Sequence, residues 1–158
     1  SLLREISNAG HTIGIHSASH DYEKIYASVD AFLEDFNEAY EIVLEATGKA
    51  PDIYRFPGGS VNDYNEKTRD DIIAEMDRRG FTYFDWNVDS NDWQGYGWTT
   101  LYTNVLKDAE EFSSPVILFH NTGDRDNTVL VIEDIIKALK NKGYKFGSLS
   151  QKIKPVQF

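Results

Sequence analysis

The 158-residue chain contains no cysteine, only one methionine and four prolines, and no long apolar run. The absence of cysteine excludes disulfide bonds and thiolate chemistry, and it leaves the redox compartment undecided. No segment approaches the roughly 18 apolar residues that a membrane span requires, and the first residues lack the basic and then apolar pattern of a signal peptide. We therefore expect no membrane span in this chain.

Positive charge is also scarce, because 16 lysine and arginine residues face 26 aspartate and glutamate residues, for a formal net charge of −10. A surface this acidic argues against broad contact with nucleic acid or with an anionic membrane, both of which require a basic face. Hydrophobic residues make up 41% and charged residues 27% of the chain. These proportions are typical of a globular domain, and the length suits one core.

Helical and strand-like patterns alternate along the chain. The clearest helix runs from Val29 to Leu44, between a Ser28 N-cap and a terminating Gly48. Four further helices are predicted over 1–9, 66–79 with Asn65 as the cap, about 100–111 and 128–141. Runs rich in β-branched and aromatic residues predict five strands, at 11–15, 52–56, 81–88, 115–119 and 144–149.

This alternation predicts a parallel sheet with crossover helices, which is either an α/β barrel or an open α/β sheet. Five strands are fewer than the usual eight of a barrel, and the first helix is already under way at residue 1. We therefore expect an incomplete barrel whose first strands are missing, with residues 1–158 as one N-terminally truncated domain. Missing strands would leave a sheet edge exposed, so we also expect self-association.

Polar side chains follow four consecutive predicted strands, at the ends where α/β folds collect functional groups. In chain order they are His16 and His20, then Arg55 with the turn Pro57-Gly58-Gly59, then Asp89, Asp92 and Trp93, and finally His120 with Asn121 and Asp124. We expect these groups to share one rim of the sheet.

The first two groups each allow a functional and a structural interpretation. His16 and His20 are four residues apart, so one turn of chain can direct both imidazoles at one metal ion, Zn²⁺ foremost. Otherwise they are unrelated polar loop residues. Arg55 and its glycine turn either orient a carboxylate beside backbone N–H groups that face an oxyanion, or form a surface salt bridge at an ordinary turn.

The later groups also allow both a functional and a structural interpretation. Asp89 and Asp92 with Trp93 supply either ligand-orienting carboxylates and a pocket wall, or an acidic loop over a core tryptophan. His120 is either a general acid or base, or a core histidine. A carbohydrate groove or ordinary packing would explain the aromatic cluster that follows, Tyr96, Trp98 and Tyr102.

Taken in order, these segments resemble the motifs of the polysaccharide deacetylase family, carbohydrate esterase family 4, also called the nodulation-deacetylase homology domain. Residues 10–20 look like its metal-binding H-[ST]-x-x-H motif, and 55–59 are similar to its R-x-P-[YG]-G stretch. Residues 89–93 match D-x-x-D-W, and 118–120 match L-x-H. The resemblance implies a distorted (β/α) barrel that hydrolyses N-acetyl, and sometimes O-acetyl, groups on a sugar polymer such as peptidoglycan.

The resemblance also implies roles for individual residues. His16 and His20 would bind a divalent metal, Zn²⁺ or Co²⁺, and His120 would be the general acid that protonates the leaving amine. Arg55 would position the base, with Asp89 in the supporting charge network. The substrate side would be formed by the backbone N–H of Gly58 at the oxyanion, by Leu118 at the acetate pocket and by Trp93.

The family's first motif, Thr-Phe-Asp-Asp-Gly, supplies the general base and a third metal ligand, and it is absent from the sequence. The single Asp-Asp pair, Asp70-Asp71, lies in a predicted helix and does not replace it. We therefore expect the C-terminal portion of a metal-dependent polysaccharide N-deacetylase, impaired as it stands and extracellular or cell-wall associated at full length. The alternative is a non-catalytic carbohydrate-binding remnant of such an enzyme.

Overall fold

The computed structural model describes residues 1–123 and 126–158. Asp124, which the sequence placed near His120, lies outside the described residues. The chain separates into two compact units, residues 1–85 with 148–158, and residues 86–147. In the described part of the chain, no helix is long and apolar enough to span a bilayer.

Helices and short strands alternate through both units. The helices are α1 (Leu2–Asn8), α2 (Tyr22–Ile25), α3 (Val29–Thr47), α4 (Arg69–Arg78), α5 (Trp98–Ala109) and α6 (Asp126–Asn141). The strands are β1 (Ile53–Tyr54), β2 (Thr82–Tyr83), β3 (Val88–Asp89) and β4 (Ile117–Leu118), and a single 3₁₀ turn covers Asp92–Gln94.

The first unit contains the parallel pair β1–β2, with Ile53 opposite Thr82. Ile15 adds a parallel bridge to Tyr54. A Cβ atom on the preceding Gly14 would lie 3.1 Å from the carbonyl oxygen of Ile53, so a side chain there would crowd the neighbouring backbone. The chain that leads into the histidine loop is therefore held closely against β1.

Helix α3 has the two ends that the sequence predicts. The hydroxyl oxygen of Ser28 accepts a hydrogen bond from the Ala31 N–H at 3.1 Å, and Gly48 adopts the left-handed conformation with φ +69°. The Gly48 N–H donates to the Leu44 carbonyl at 2.8 Å. The predicted helix, its cap and its terminator are confirmed. Its buried apolar residues are Phe32, Phe36 and Val43.

Aromatic rings make up much of the core of the first unit. The rings of Phe32 and Phe36 lie 6.2 and 5.9 Å from that of Tyr54. Phe56 is fully buried, and its ring lies 5.2 Å from that of Tyr54. Phe56 therefore anchors to the core the segment that carries Arg55 and the glycine turn.

The C-terminal residues also belong to the first unit, because they bind beside β2. The Val156 carbonyl accepts a hydrogen bond from the Asp85 N–H at 2.7 Å. The Phe158 N–H donates to the Asp85 carboxylate at 3.0 Å, and the Gln157 side chain donates to the Tyr83 carbonyl at 3.2 Å. These hydrogen bonds connect residues more than 70 positions apart in sequence.

The second unit is built on the parallel pair β3–β4, with Val88 opposite Ile117 and Asp89 opposite Leu118. Helices α5 and α6 pack against each other. Its buried core consists of Val88, Leu101, Val105, Ala109, Val131, Ile135 and Leu139. Both strand pairs of the described chain are parallel and are joined through helices, so the expected α/β class with parallel strands is confirmed.

The single strand predicted over 81–88 is wrong. The structure has two strands there, β2 and β3, which belong to different two-stranded sheets. The break lies at Asp85, whose buried carboxylate accepts a hydrogen bond from the Ser60 hydroxyl at 2.6 Å. A buried carboxylate must be satisfied by donors, so these contacts outweigh the β propensity of the surrounding aromatic residues.

The strand predicted over 144–149 is also wrong, because the described chain is irregular there. Gly143 turns the chain with φ +94°, and the Tyr144 N–H donates back to the Leu139 carbonyl at 3.1 Å. The Tyr144 hydroxyl lies 3.0 Å from the Ala109 carbonyl, to which it donates. Tyr144 therefore closes the ends of α5 and α6 instead of starting a strand.

The third predicted helix begins three residues later than expected. Its observed range is Arg69–Arg78, and Thr68 occupies the N-cap position that the sequence assigned to Asn65. The buried side chain of Asn65 donates instead to the carbonyls of Gly59 and Ser60, each at 3.2 Å. Asn65 therefore stabilises the loop behind the glycine turn.

Candidate active site

His16 and His20 lie on one loop of the first unit, directly after the Ile15 bridge. Their ring centroids are 5.2 Å apart, and the ring planes are inclined by 52°. The Nδ1 atom of His16 lies 2.9 Å from the carbonyl oxygen of Arg55. Because a carbonyl oxygen only accepts, Nδ1 carries the proton and Nε2 carries the lone pair of the neutral ring. Nε2 is therefore the nitrogen suited to bind a metal.

The loop between the two histidines is bound to Asp35 of α3. Its carboxylate accepts hydrogen bonds from the Ser17 hydroxyl at 2.6 Å, the Ala18 N–H at 3.0 Å and the Ser19 N–H at 2.8 Å. Burial raises the pKa of this carboxyl, but the hydrogen bonds outweigh burial and hold the pKa below its ordinary value. The Ser17 hydroxyl oxygen in turn accepts from the His20 N–H at 2.8 Å.

Arg55 follows β1, and its side chain reaches the end of β2. Its Nε donates to the Phe84 carbonyl at 2.9 Å and its Nη2 to the Asp85 carbonyl at 3.2 Å. Burial lowers the pKa of the guanidinium, and the Asp85 carboxylate opposes this only in part. Because the Arg55 carbonyl also accepts a hydrogen bond from His16, Arg55 connects the histidine loop to the end of β2.

The glycine turn after Arg55 is exposed at Gly58. Gly58 and Gly59 both have positive φ values, +77° and +84°. A Cβ atom on Gly58 would lie 3.2 Å from the Tyr22 ring, so both the backbone conformation and its surroundings disfavour a side chain. The Tyr26 hydroxyl donates to the Pro57 carbonyl at 2.7 Å. The turn is thus held in place, and Gly58 is its exposed residue.

In the second unit, Asp92 and His120 form a close pair. The carboxylate of Asp92 is fully buried and accepts from His120 Nδ1 at 2.7 Å, from the His120 N–H at 2.8 Å and from the Thr128 hydroxyl at 2.9 Å. Burial raises the pKa of the Asp92 carboxyl, but these hydrogen bonds outweigh it and the pKa is lowered. This pair fixes the tautomer of His120 and makes Nε2 the atom for proton transfer.

The other predicted site residues of the second unit lie close to Asp92 or His120 in sequence; they are Asp89, Trp93 and Leu118. Asp89 accepts from the Asn91 N–H at 2.8 Å, and Asn91 has a left-handed φ of +55°. Asp89 therefore shapes the turn that leads to Asp92. Trp93 is 54% exposed, which disagrees with a core tryptophan, whereas Leu118 is buried.

The aromatic cluster after Trp93 lies partly at the surface. Trp98 and Tyr102 stack with ring centroids 5.1 Å apart and planes inclined by only 7°. Trp98 is 37% exposed, and the Tyr96 hydroxyl donates to the Gln94 side chain at 2.6 Å. Packing accounts for the Trp98–Tyr102 stack, while the exposed ring surface is of the kind that binds sugars.

The structure thus assembles the predicted residues within each unit. In the first unit, His16 binds Arg55, and the rings of His16 and His20 adjoin. In the second, Asp92 and not Asp89 contacts His120. The D-x-x-D spacing flagged both aspartates, but it does not indicate which one binds the histidine. No sequence signal marks Asp35 or Thr128, because their partners are 17 and 36 residues away.

The two imidazoles fit two positions of a transition-metal site. The donor set is of the right type, and the hydrogen bond from His16 Nδ1 to a carbonyl is the contact that orients metal-binding histidines. Among residues 1–123 and 126–158, however, no group of three or more His, Cys, Asp or Glu side chains is placed to hold a metal ion. The described residues therefore supply two adjoining imidazoles.

A family model described as polysaccharide deacetylase matches residues 1–81. This stretch is just over half of the chain, and it contains the histidine loop and the turn after Arg55. The chain belongs to the polysaccharide deacetylase family. The resemblance found in the sequence motifs is confirmed.

Curated polysaccharide deacetylases align with nearly the whole chain. A putative polysaccharide deacetylase of Bacillus subtilis, YheN, is 31% identical in an alignment 159 residues long, which covers 98% of this chain and 54% of the relative. A peptidoglycan-N-acetylglucosamine deacetylase of Bacillus cereus is 30% identical over 151 residues, 95% of this chain and 67% of the relative. The chain spans about half the length of the first of these relatives.

Solved deacetylase structures share the fold. The catalytic domain of a peptidoglycan N-acetylglucosamine deacetylase from Eubacterium rectale superimposes with a TM-score of 0.93 at 31% identity, covering 99% of this chain and 73% of that domain. A polysaccharide deacetylase from Bacillus cereus gives a TM-score of 0.83 at 30% identity, covering 99% and 76%. These polysaccharide deacetylases have a (β/α)-barrel type of fold. Members of the family are hydrolases and are generally metal-dependent.

Proposed function

We propose that this chain carries part of a metal-dependent hydrolase that removes acetyl groups from an N-acetylated polysaccharide, with the N-acetylglucosamine of peptidoglycan as its substrate. The observation that carries the proposal is the pair of adjoining imidazoles, His16 and His20, on a loop of a polysaccharide deacetylase family member. The Bacillus cereus relatives named as peptidoglycan-N-acetylglucosamine deacetylases support this choice of substrate and a location at the cell wall.

In this proposal, His16 and His20 hold the divalent metal, either Zn²⁺ or Co²⁺. When bound, such a metal supplies Lewis-acid polarisation of a carbonyl and activation of water. The contact between His16 Nδ1 and the Arg55 carbonyl supports the assignment, because it fixes which nitrogen carries the lone pair. The third protein ligand is the aspartate of the Thr-Phe-Asp-Asp-Gly motif, which the 158 residues lack.

The first unit also provides groups for the acetyl carbonyl and for the base. We assign the backbone N–H of Gly58 to the developing oxyanion, since this glycine is exposed on a turn that the Tyr26 hydroxyl holds. Arg55 positions the base. Its guanidinium is suited to this role, because hydrogen bonds to the Phe84 and Asp85 carbonyls fix its orientation.

His120 is assigned as the general acid. His120 protonates the leaving amine from Nε2, while the ionised Asp92 holds Nδ1 and stabilises the imidazolium form. Leu118 belongs to the acetate pocket, Trp93 lines the site, and Asp89 belongs to the supporting charge network. Asp92 does not take up the proton itself, because its hydrogen bonds keep its carboxyl pKa low.

Residues 1–158 are proposed to be one part of a deacetylase domain whose distorted (β/α) barrel includes further strands. The partial coverage of the Eubacterium rectale domain, 73%, supports this proposal, as does the absence of the Thr-Phe-Asp-Asp-Gly motif. Without that motif the general base is missing, so the 158-residue chain is expected to be inactive or impaired.

The test is acetate release from N-acetylglucosamine polymers and peptidoglycan by the full-length protein, loaded with Zn²⁺ or Co²⁺ and again after chelation. Acetate should be released only by the metal-loaded protein. His120→Gln should lower the rate by about 100-fold or more, the range expected for a general acid. His11→Ala is the matched control, since His11 is exposed and outside the proposed machinery. A metal-loaded protein that is inert on every such polymer would contradict the proposal.

A second candidate is a non-catalytic carbohydrate-binding protein. The exposed Trp93 favours it, together with the lack of a third metal ligand among the described residues. In that case chitooligosaccharides bind the full-length protein, which releases no acetate with any divalent metal. Turnover by the full-length protein would exclude this candidate.

A further inference from the structure

The Asp35 carboxylate is a buried charged group that the proposed chemistry does not use. Asp35 is only 5% exposed, and in the described part of the chain its carboxylate forms no ion pair. A buried charge without a cation is costly unless hydrogen-bond donors replace the lost water. All the donors that stabilise it come from three consecutive residues, Ser17, Ala18 and Ser19.

These three residues are exactly the segment between the two histidines. Oδ2 accepts from the Ser17 hydroxyl and the Ala18 N–H, and Oδ1 accepts from the Ser19 N–H. A serine hydroxyl can donate only one hydrogen bond, and the Ser17 hydroxyl donates it to Asp35. The Ser17 oxygen is therefore left as an acceptor, and the His20 N–H donates to it at 2.8 Å. The carboxylate on α3 thus reaches the His20 backbone through one hydroxyl.

The conformation of His20 explains why such a restraint is needed. His20 has a φ of +55°, in the left-handed region that a non-glycine residue adopts at a cost. His16 is held differently, through its ring and the Arg55 carbonyl. One imidazole is therefore fixed by its own side-chain contact, and the other depends on how its main chain is held.

We propose that Asp35 is a positioning residue that holds the main chain of His20, through Ser17, so that both imidazoles face one metal ion. This inference rests on the proposed metal site. It also explains why a carboxylate occupies position 35. An asparagine offers one acceptor oxygen instead of two, so its NH₂ group would oppose either the Ser19 N–H or the Ala18 N–H, depending on how the amide is oriented.

The experiment measures Zn²⁺ affinity by competition with a chromophoric chelator, using the full-length protein at neutral pH. Asp35→Asn is expected to weaken Zn²⁺ binding by about tenfold or more, the loss typical of groups that orient metal ligands. Glu38→Gln is the matched control, because it removes the same charge from an exposed position of the same helix. This control should keep the wild-type affinity.

Ser17 provides a second and milder pair of variants. Ser17→Ala removes the hydroxyl that accepts from the His20 N–H but retains both backbone hydrogen bonds to Asp35. It should therefore weaken Zn²⁺ binding while lowering the free energy of unfolding only slightly. Ser17→Thr keeps a hydroxyl and should restore the affinity. If Asp35→Asn does not fold, the comparison of these two variants decides the question.

A readout without metal separates a local role from general destabilisation. In the metal-free chain, hydrogen exchange of the His20 amide should accelerate in Asp35→Asn and Ser17→Ala, and not in Glu38→Gln or Ser17→Thr. Unchanged Zn²⁺ affinity and amide exchange in folded Asp35→Asn would overturn this inference alone. A wild-type full-length protein that binds no Zn²⁺ would overturn both the proposed metal site and this inference.

Discussion

Two buried aspartates hold two histidines in this protein by different routes. Asp92 binds the imidazole of His120 directly and so determines its tautomer. Asp35 binds the loop before His20 and reaches that residue only through the Ser17 hydroxyl. In both, hydrogen bonds outweigh burial, so the carboxyl pKa lies below its ordinary value and the group is ionised at neutral pH.

These lowered pKa values predict a loss of stability in acid. Each carboxyl has a lower pKa in the folded than in the unfolded chain, so its contribution is fully present above the unfolded value of about 4 and is lost as the pH falls through the folded value. Urea unfolding at a series of pH values should show this decline. In Asp92→Asn the free energy of unfolding should decline less steeply as the pH falls. An unchanged pH dependence in that variant would contradict the lowered pKa of Asp92.

Two core tyrosines should respond oppositely to loss of the hydroxyl group. In the described part of the chain, the buried Tyr54 hydroxyl has no hydrogen-bond partner, whereas the Tyr26 hydroxyl donates to the Pro57 carbonyl. Tyr54→Phe should therefore keep or raise the free energy of unfolding, by up to about 1 kcal/mol. Tyr26→Phe should lower it by about 1 kcal/mol. Urea unfolding of both variants tests the contrast, which equal losses of stability would refute.

At the scale of elements, α3 carries most of what positions the histidine loop. It supplies Phe32 and Phe36 to the core on one side and Asp35 to the loop. Since Asp35 adjoins Phe36, aromatic packing of the helix sets the position of the carboxylate. Stability of the helix and order in the loop are therefore coupled.

The N-cap of α3 offers a direct test of its stability. Ser28→Ala removes the acceptor for the Ala31 N–H and should lower the free energy of unfolding by about 1 kcal/mol. Ser28→Asp keeps an acceptor at the cap and should retain wild-type stability. Thermal unfolding followed by circular dichroism compares the three proteins. Equal melting temperatures for wild type and Ser28→Ala would show that the cap contributes nothing.

At the scale of the whole molecule, each unit has its own parallel strand pair and its own core. The first unit combines residues 1–85 with residues 148–158. Within it, Asp85 Oδ2 accepts hydrogen bonds from both the Ser60 hydroxyl and the Phe158 N–H. One buried group thus stabilises both the loop after the glycine turn and the C-terminal segment.

Removal of the last three residues, 156–158, should therefore weaken the first unit. The truncation deprives the Asp85 carboxylate of the Phe158 N–H and the Asp85 N–H of the Val156 carbonyl. We expect the free energy of unfolding to fall by about 1–3 kcal/mol, because buried groups lose their partners. Lys154→Ala, an exposed change in the same segment, is the control. Urea unfolding that is identical for the truncated and intact chains would contradict this role.

Features that depend on neighbouring residues could be predicted from the amino-acid sequence alone. Ser28 and Gly48 were identified as the ends of α3, because capping is a contact within one helical turn. The alternation of elements determined the α/β class, and the ordered motifs determined the family. The four-residue spacing of His16 and His20 allowed both imidazoles to be directed at one point, and their rings adjoin in the structure.

Tertiary structure decided which distant groups meet. It selected Asp92 over Asp89 as the partner of His120, 28 residues away, and it placed Asp35 against the histidine loop. It also divided the apparent strand at 81–88, because Asp85 binds groups 25 and 73 residues distant. Local patterns report propensity and spacing along the chain. The partners of a buried carboxylate are set by packing across the chain, which no local pattern contains.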